Sequence, residues 1–184
     1  MNRALRILAF DIENRPLAYL GEDYTSAEIT AIAACWDGRP RTMKCWLLGK
    51  DDPAEMLRAF VALYDEADLV TGHYIRMHDL PVIDGALLEY GLAPLKRKLT
   101  CDTKLDLTTR KYLSVSQENL GEMLGLPAPK VHMSNAQWRA ANRLTPAGLK
   151  LTRERVIGDV LQHMAIRRVL LERGLLGAPK PWSP

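Results

Sequence analysis

A short apolar run that ends abruptly in two acidic residues is the feature that most constrains how this chain folds. Arg6 to Glu13 predicts a buried strand, because the apolar residues 7–10 lead directly into Asp11. Asp11 and Glu13 are separated by one residue, so on a strand their side chains point to the same face. Neighbouring carboxylates there are costly unless a positive charge neutralises them, and a divalent cation is a natural partner. Exposed acids at strand ends are also common without any function.

The size and composition of the chain predict an ordinary globular protein. Its 184 residues, 47% hydrophobic and 26% charged, suit one domain, which we expect over 1–175 with a flexible tail over 176–184. No apolar stretch reaches the roughly 20 residues of a membrane span. No signal-peptide core precedes Asp11, so we expect a cytoplasmic protein without membrane contact. Three cysteines without CxxC spacing argue against a disulfide framework or a zinc site.

The order of predicted elements indicates an α/β fold with a mixed sheet. Residues 28–36 and 42–48 are β-leaning runs joined by Asp37-Gly38-Arg39-Pro40, and the Asp-Gly step is a strong hairpin signal. With the first strand they form an antiparallel meander of three strands. The later elements are a helix over 53–65 capped by Asp52, a strand over 68–71, helices over 81–90 and 117–124, and a long helix over 152–173 capped by Thr152. Residues 126–145 are predicted to be an irregular insertion with one or two helical turns around Trp138.

Two further carboxylates lie at defined places in these elements. The segment Gly72-His73-Tyr74-Ile75-Arg76-Met77-His78-Asp79-Leu80-Pro81 follows a short strand and opens a helix. Taken alone, Asp79 could simply cap that helix. Asp159, in Gly158-Asp159-Val160, lies inside the long C-terminal helix, where a solvent-facing acid is common. The set of three elements is more specific than any one of them.

Taken in this order, the three elements resemble the motifs of the DEDD 3′-5′ exonuclease family, the proofreading-type nucleases. The resemblance covers roughly Arg6 to Leu171 and includes residues 100–103 and 118–126, where similar family A-type and B-type proofreading domains place a strand and a short helix. It implies a ribonuclease H-like fold: a mixed sheet, with a three-stranded antiparallel meander and parallel strands, flanked by α-helices. The implied ligands of two metal ions are Asp11, Glu13, Asp79 and Asp159.

The resemblance also implies a reaction and its partners. The expected reaction is two-metal-ion hydrolysis of a phosphodiester bond at a DNA 3′ end, single-stranded or frayed. A polymerase or another replication protein is an expected partner. Ligands that offer only oxygen suit Mg²⁺ or Mn²⁺ rather than zinc, so the predicted chemistry agrees with the residue types.

The chain departs from the family pattern just before the last aspartate. Relatives carry a tyrosine four residues, or a histidine five residues, before it to orient or deprotonate the attacking water, and here those places hold Arg155 and Glu154. His163, one helical turn past Asp159, and His78, beside Asp79, are predicted to take this catalytic role ahead of Glu154, because imidazole has the more suitable pKa. Activation of the water by metal alone is the other possibility.

Several residues are candidates for contact with the nucleic acid. His73, Tyr74, Arg155 and Trp138 are predicted to bind substrate, with Trp138 or Tyr112 stacking on a terminal base. The net charge of +3 is too small to establish a nucleic-acid partner. Basic residues that could contact phosphates are Lys96, Arg97, Lys98, Arg110, Lys111, Lys130, Arg139, Arg143, Lys150, Arg153 and Arg155. Residues 17–19 lie where related enzymes wedge apart the terminal base pair.

Two alternative functions remain open. The missing tyrosine or histidine also fits a nucleic-acid-binding module that does not cleave. A structure-selective endonuclease or resolvase is the second alternative, since the wider fold class also cuts junctions with four carboxylates. A dehydrogenase or kinase is excluded because the chain has no glycine-rich phosphate loop.

Overall fold

A six-stranded sheet with helices packed against it forms the part of the chain that the computed structural model describes, residues 4–17, 27–108, 112–126 and 131–184. The strands are β1 (Ile7–Pro16), β2 (Ala27–Trp36), β3 (Lys44–Leu47), β4 (Leu69–Gly72), β5 (Lys98–Asp102) and β6 (Lys180–Trp182). The α-helices are α1 (Pro53–Glu66), α2 (Asp79–Glu89), α3 (Gln117–Met123), α4 (Asn135–Asn142) and α5 (Pro146–Glu172).

The sheet is mixed, and its strand order is β3-β2-β1-β4-β5-β6. The first three strands form the antiparallel meander that the sequence predicts. β1 is parallel to β4, and β4 is parallel to β5. The chain between β4 and β5 contains α2, as parallel neighbours require a crossover connection. The predicted ribonuclease H-like α/β architecture is therefore confirmed.

The connection between β2 and β3 is held by Thr42 as well as by the predicted turn. Gly38 adopts φ 71°, a conformation that glycine reaches without steric cost. The Thr42 hydroxyl donates to the carbonyl of Arg39 at 2.7 Å and accepts from the Trp36 amide at 3.1 Å. Because Thr42 belongs to this turn, β3 begins at Lys44 rather than at Thr42.

The two faces of β1 pack against different helices. Leu8, Phe10 and Ile12 belong to a buried cluster with α1 and α2, whereas Ala9 belongs to a cluster with residues of α5. Side chains alternate between the faces of a strand. Asp11 and Glu13 therefore lie on the same face as Ala9, which is the face that α5 covers.

Helix α5 begins earlier than the sequence predicts. Its N-cap is Thr145, whose hydroxyl accepts from the Gly148 amide at 3.1 Å, and Pro146 occupies the first turn. Thr152, the predicted cap, lies inside the helix and donates to the carbonyl of Gly148 at 3.0 Å. The prediction of this boundary was wrong because both threonines have the right chemistry for a cap. Helix α2 likewise starts at Asp79, two residues before the predicted start.

The end of the chain differs from the predicted flexible tail. Lys180–Trp182 forms β6, which pairs antiparallel with β5 at the edge of the sheet. The Thr100 hydroxyl donates to the carbonyl of Lys180 at 2.8 Å, adding a side-chain contact to this pairing. Pro181 is compatible with this position, because an edge strand has one side without a hydrogen-bonded neighbour.

None of the helices in the described residues is both long and apolar enough to cross a membrane. The three cysteines are free thiols, and Cys35 and Cys101 are buried. Burial raises the pKa of both thiols, so they carry the neutral form near neutral pH.

Helix α4, which the sequence places as a turn or two around Trp138, packs closely against α5. A Cβ added at Gly148 would meet the backbone of Ala140 and Ala141 in α4, whereas one at Gly158 would meet nothing nearby. We expect Gly148→Ala to destabilise the protein by about 1–3 kcal/mol, since the two helices would have to separate. The measurement is equilibrium unfolding in urea.

The matched control is Gly158→Ala in the same helix. Alanine has the higher helix propensity, so this variant should be neutral or more stable by up to about 1 kcal/mol. Equal stability of the two variants would contradict the close α4–α5 packing.

Candidate metal centre

Three carboxylates from distant parts of the chain meet between β1 and α5. Asp11, Glu13 and Asp159 each offer a ligand oxygen, and these atoms lie within 4.8 Å of one another. Asp159 is only 3% exposed and Glu13 is 9% exposed. The predicted convergence of the strand pair with the helical aspartate is therefore present.

The donor set of this cluster suits a hard divalent cation. All three side chains offer carboxylate oxygens, which are the ligands that Mg²⁺ and Mn²⁺ prefer. Carboxylates whose oxygens lie this close together, and which water reaches poorly, repel one another unless a positive charge lies between them. The residues thus fit the metal that the resemblance implies.

Asp79 lies next to this cluster but outside the group of three. It is buried in the first turn of α2, and its Oδ1 accepts from the Ile12 amide at 3.2 Å. Ile12 lies between Asp11 and Glu13, so this hydrogen bond joins α2 to β1 in the middle of the acidic pair. Burial, together with the charges of Asp102 and Glu13, raises the pKa of Asp79 to about 7.

Arg155 makes direct contact with the acidic cluster. Its Nε donates to Oε1 of Glu13 at 2.6 Å, and its Nη2 lies 3.7 Å from Oδ2 of Asp159. Its Nη1 donates to the carbonyl of Val131 at 2.7 Å, and its guanidinium lies 5.0 Å from the centre of the Trp138 ring. The sequence predicts Arg155 as a substrate-binding residue, but these contacts place it against the proposed metal ligands.

The two histidines predicted to act on the attacking water have very different environments. His163 is 2% exposed, and its ring nitrogens lie 3.0 Å from the Thr71 hydroxyl and 3.2 Å from the Thr103 hydroxyl. Burial lowers the pKa of His163 well below its usual value. His78 is exposed, and its Nε2 lies 3.2 Å from Oδ1 of Asn14, the neighbour of Glu13. Of the two, only His78 has access to solvent.

His73 and Tyr74 contact the end of β5. The Nδ1 atom of His73 lies 2.9 Å from the Thr103 hydroxyl. Tyr74, with φ 73°, donates its amide to Asp102 at 3.0 Å, and Lys104 lies 3.8 Å from the centre of its ring. These contacts arrange the segment between β4 and α2.

Trp138 and two exposed arginines lie on one surface of α4. Asn135, Trp138, Arg139, Asn142 and Arg143 line a shallow depression there. Trp138 also holds Arg155, so this surface adjoins the acidic cluster. Tyr112 is 93% exposed. Residues 18–19 of the predicted wedge, together with Arg110, Lys111 and Lys130, lie outside the described residues.

A buried carboxylate at the end of β5, near the site, was not predicted from the sequence. Asp102 is fully buried and accepts from the amides of Tyr74, Arg76, Lys104 and Leu105 at 3.0–3.1 Å. These hydrogen bonds connect the end of β5 with the segment that leads to Asp79. An acidic residue directly after an apolar strand is the available signal, and it is the same signal that identifies Asp11.

The raised pKa of Asp79 predicts a specific dependence of stability on pH. An aspartate titrates near 3.8 when unperturbed and at about 7 in this fold, so the folded state binds the proton more tightly. The contribution of Asp79 to stability is therefore fully present below pH 3.8 and is lost as the pH rises through 7. Asp79→Asn keeps an oxygen acceptor for the Ile12 amide and removes the titration.

We expect the metal-free wild-type protein to lose stability relative to Asp79→Asn by at least about 1 kcal/mol between pH 4 and pH 8, since one pKa unit corresponds to about 1.4 kcal/mol. Urea unfolding in EDTA across this range measures the difference. A stability difference that stays constant with pH would show that Asp79 titrates normally.

Comparisons with known proteins support the fold but assign no family. No protein-family model matches the chain, and no curated protein matches it. Among solved structures, the chain is similar to the family B DNA polymerase from the hyperthermophilic archaeon Pyrobaculum calidifontis, with a TM-score of 0.66 and 17% sequence identity. The similarity covers 92% of this chain and 25% of the polymerase chain, so this chain spans about a quarter of that protein. At this identity the similarity shows the fold alone, and it agrees with the ribonuclease H-like architecture.

Proposed function

We propose that this protein is a metal-dependent 3′-5′ exonuclease that hydrolyses phosphodiester bonds at a DNA 3′ end. The observation that carries the proposal is the convergence of Asp11, Glu13 and Asp159, whose ligand oxygens lie within 4.8 Å of one another. The order of the acidic motifs along the chain supports it independently. The structural similarity to a family B DNA polymerase is consistent with action on DNA.

In this proposal the acidic cluster holds two Mg²⁺ or Mn²⁺ ions, with Asp79 as the fourth ligand. When bound, such ions lower the pKa of a coordinated water and stabilise the leaving oxygen. Asp11 and Glu13 hold their carboxylates on the rigid strand β1, and Asp159 is held by α5. Asp79 fixes the strand between the first two through its hydrogen bond with the Ile12 amide.

His78 is the better placed of the two candidate histidines for proton transfer with the attacking water. It is exposed at the start of α2 and contacts Asn14 beside Glu13. His163 is enclosed by two threonine hydroxyls, so exchange of a proton with water would require the fold to open. We therefore assign His163 a role in packing the interface between α5 and the parallel strands.

The surface of α4 is the proposed contact for the nucleic acid. Trp138 offers an aromatic face, and Arg139 and Arg143 offer positive charges next to it. Aromatic stacking combined with backbone contacts is how proteins bind single strands without reading their sequence. The substrate on this proposal is a single-stranded or frayed 3′ end, and a polymerase or other replication protein remains a proposed partner.

A second candidate function is nucleic-acid binding without cleavage. The observation that favours it is the contact of Arg155 with Glu13 and Asp159, which offsets part of the negative charge of the cluster without any metal. The two functions share the surface of α4 and differ in whether metal supports cleavage.

Cleavage of a 5′-labelled single-stranded DNA in Mg²⁺ or Mn²⁺ tests the proposal. We expect a ladder of products shortened one nucleotide at a time from the 3′ end. Asp11→Asn and Asp159→Asn should each lower the rate at least about 100-fold, since bound metal contributes several kcal/mol to the transition state. The matched control is Glu172→Gln, an exposed acid in the same helix as Asp159, which should cleave normally.

The products separate the candidate functions. Binding without cleavage in either metal would favour the binding module. Paired nicks in branched DNA without a ladder would favour the endonuclease. A ladder that persists in both aspartate variants would come from a contaminating enzyme and would remove the support for this site.

Binding of a fluorescent single-stranded oligonucleotide at several salt concentrations tests the surface of α4. We expect the double variant Arg139→Gln, Arg143→Gln to bind about tenfold more weakly at low salt and to reduce the slope of log K against log salt by about 1 to 1.5, because each phosphate contact contributes about 0.7. Arg58→Gln, an exposed arginine on α1, is the control. An unchanged slope would mean that the nucleic acid binds elsewhere.

A further inference from the structure

We infer that Arg155 is an internal cation that competes with divalent metal for Glu13 and Asp159, so that loading of metal requires its guanidinium to move away. This inference rests on the proposed function, because it concerns the metal centre of that same site. It assigns Arg155 a role different from contact with substrate, the role that the sequence predicts.

The contacts of Arg155 with the carboxylates are the first argument. Its Nε lies 2.6 Å from Oε1 of Glu13, and its Nη2 lies 3.7 Å from Oδ2 of Asp159. The side chains of Arg155, Glu13 and Asp159 are 14%, 11% and 4% exposed, so water screens these charges poorly. A positive charge so close to both acids reduces their attraction for any other cation. A carboxylate oxygen that accepts a hydrogen bond from the guanidinium also has fewer lone pairs left to bind a metal ion.

The second argument is that Arg155 has contacts that do not depend on the acids. Its Nη1 donates to the carbonyl of Val131 at 2.7 Å, and the guanidinium lies over the Trp138 ring at 5.0 Å. A guanidinium has five N–H donors and stacks on aromatic rings. Arg155 can therefore release the carboxylates while it keeps the Val131 carbonyl and the Trp138 ring, and the exchange for metal does not leave it without partners.

The position of Arg155 in α5 supports the same inference. Arg155 and Asp159 are four residues apart in α5 and face the same side of the helix. The backbone therefore keeps the guanidinium close to Asp159 whenever α5 is folded. A metal ion from solution must compete with this tethered cation for the Asp159 carboxylate. This predicts weak metal binding by the wild-type protein.

Binding of Mn²⁺ to the full chain, followed by the electron paramagnetic resonance signal of free Mn²⁺, tests the inference without any measurement of activity. Arg155→Met removes the charge and keeps an apolar side chain against Trp138. We expect it to bind Mn²⁺ at least about tenfold more tightly than the wild-type protein, because a positive charge beside the ligands is gone. Arg155→Gln is a second neutral variant that keeps a hydrogen-bond donor, and it should change affinity in the same direction.

The matched control is Arg153→Met, which removes an exposed arginine from the same helix. Its affinity for Mn²⁺ should stay within about twofold of the wild-type value, since water screens its charge. Thermal melts in EDTA establish that the neutral variants are folded. If one of them does not fold, the other carries the test.

The outcomes separate this inference from the proposed function. Equal or weaker binding of Mn²⁺ by the folded neutral variants, with metal-dependent cleavage by the wild-type protein, would overturn the competition and leave the nuclease in place. Absence of Mn²⁺ binding in the wild-type protein and in both neutral variants would overturn the inference and the metal centre together. Tighter binding in both neutral variants but not in Arg153→Met would support the competition.

Discussion

The close approach of α5 to the sheet determines most of what this site can do. The strands beneath the helix present Ala9, Ala31 and Ala33, all fully buried, and these small side chains let the helix lie near the backbone of β1 and β2. Val156 and Val160 of α5 pack on this surface. The same packing brings Asp159 within reach of the carboxylates on β1. Larger residues in place of the alanines would push the helix outward and separate the acids.

This arrangement places several carboxylates close together where water screens their charges poorly. The fold offsets their repulsion in two ways. Arg155 supplies a guanidinium to Glu13 and Asp159. Asp79 responds differently, since burial raises its pKa to about 7 and lets it carry a proton near neutral pH. Both contacts stabilise the metal-free centre. The proton on Asp79 opposes the full ionisation that a site for two divalent ions needs, and the Arg155 guanidinium occupies carboxylate oxygens that such ions would bind. Stability without metal and affinity for metal are therefore in tension here.

The sequence predicts those features whose cause is local. The period of two along β1 puts Asp11 and Glu13 on one face, and the Asp37-Gly38 step predicts the hairpin that pairs β2 with β3. The contact of Arg155 with Glu13 joins residues 142 positions apart, and neither residue type indicates it. The ring of His163 is enclosed by Thr71 of β4 and by Thr103, which directly follows β5, so its neighbours in sequence give no sign of its burial.

Contacts between residues that are distant in sequence also explain the errors in the predicted element boundaries and at the chain end. Thr145 and Thr152 both have the chemistry of a cap, and the choice between them depends on the packing of α5 against α4. Residues near Pro181 look like a tail in isolation, because prolines are rare inside strands. They form a strand because they pair with the edge of β5. Pairing with a distant strand depends on the folded sheet, so local sequence patterns do not predict it.

Trp138 connects the metal centre with the surface proposed for the nucleic acid. The ring face that holds the Arg155 guanidinium is not available to a base at the same time. If a 3′-terminal base stacks on that face, Arg155 loses its contact with the Trp138 ring. The position beside Glu13 then becomes more favourable for Arg155 than a position away from the acids. If the base stacks elsewhere on α4, Arg155 can keep the ring and release the carboxylates. Under the proposed function, binding of DNA and loading of metal would therefore be coupled through the Arg155 side chain, and the sign of the coupling would depend on which face of Trp138 the substrate uses.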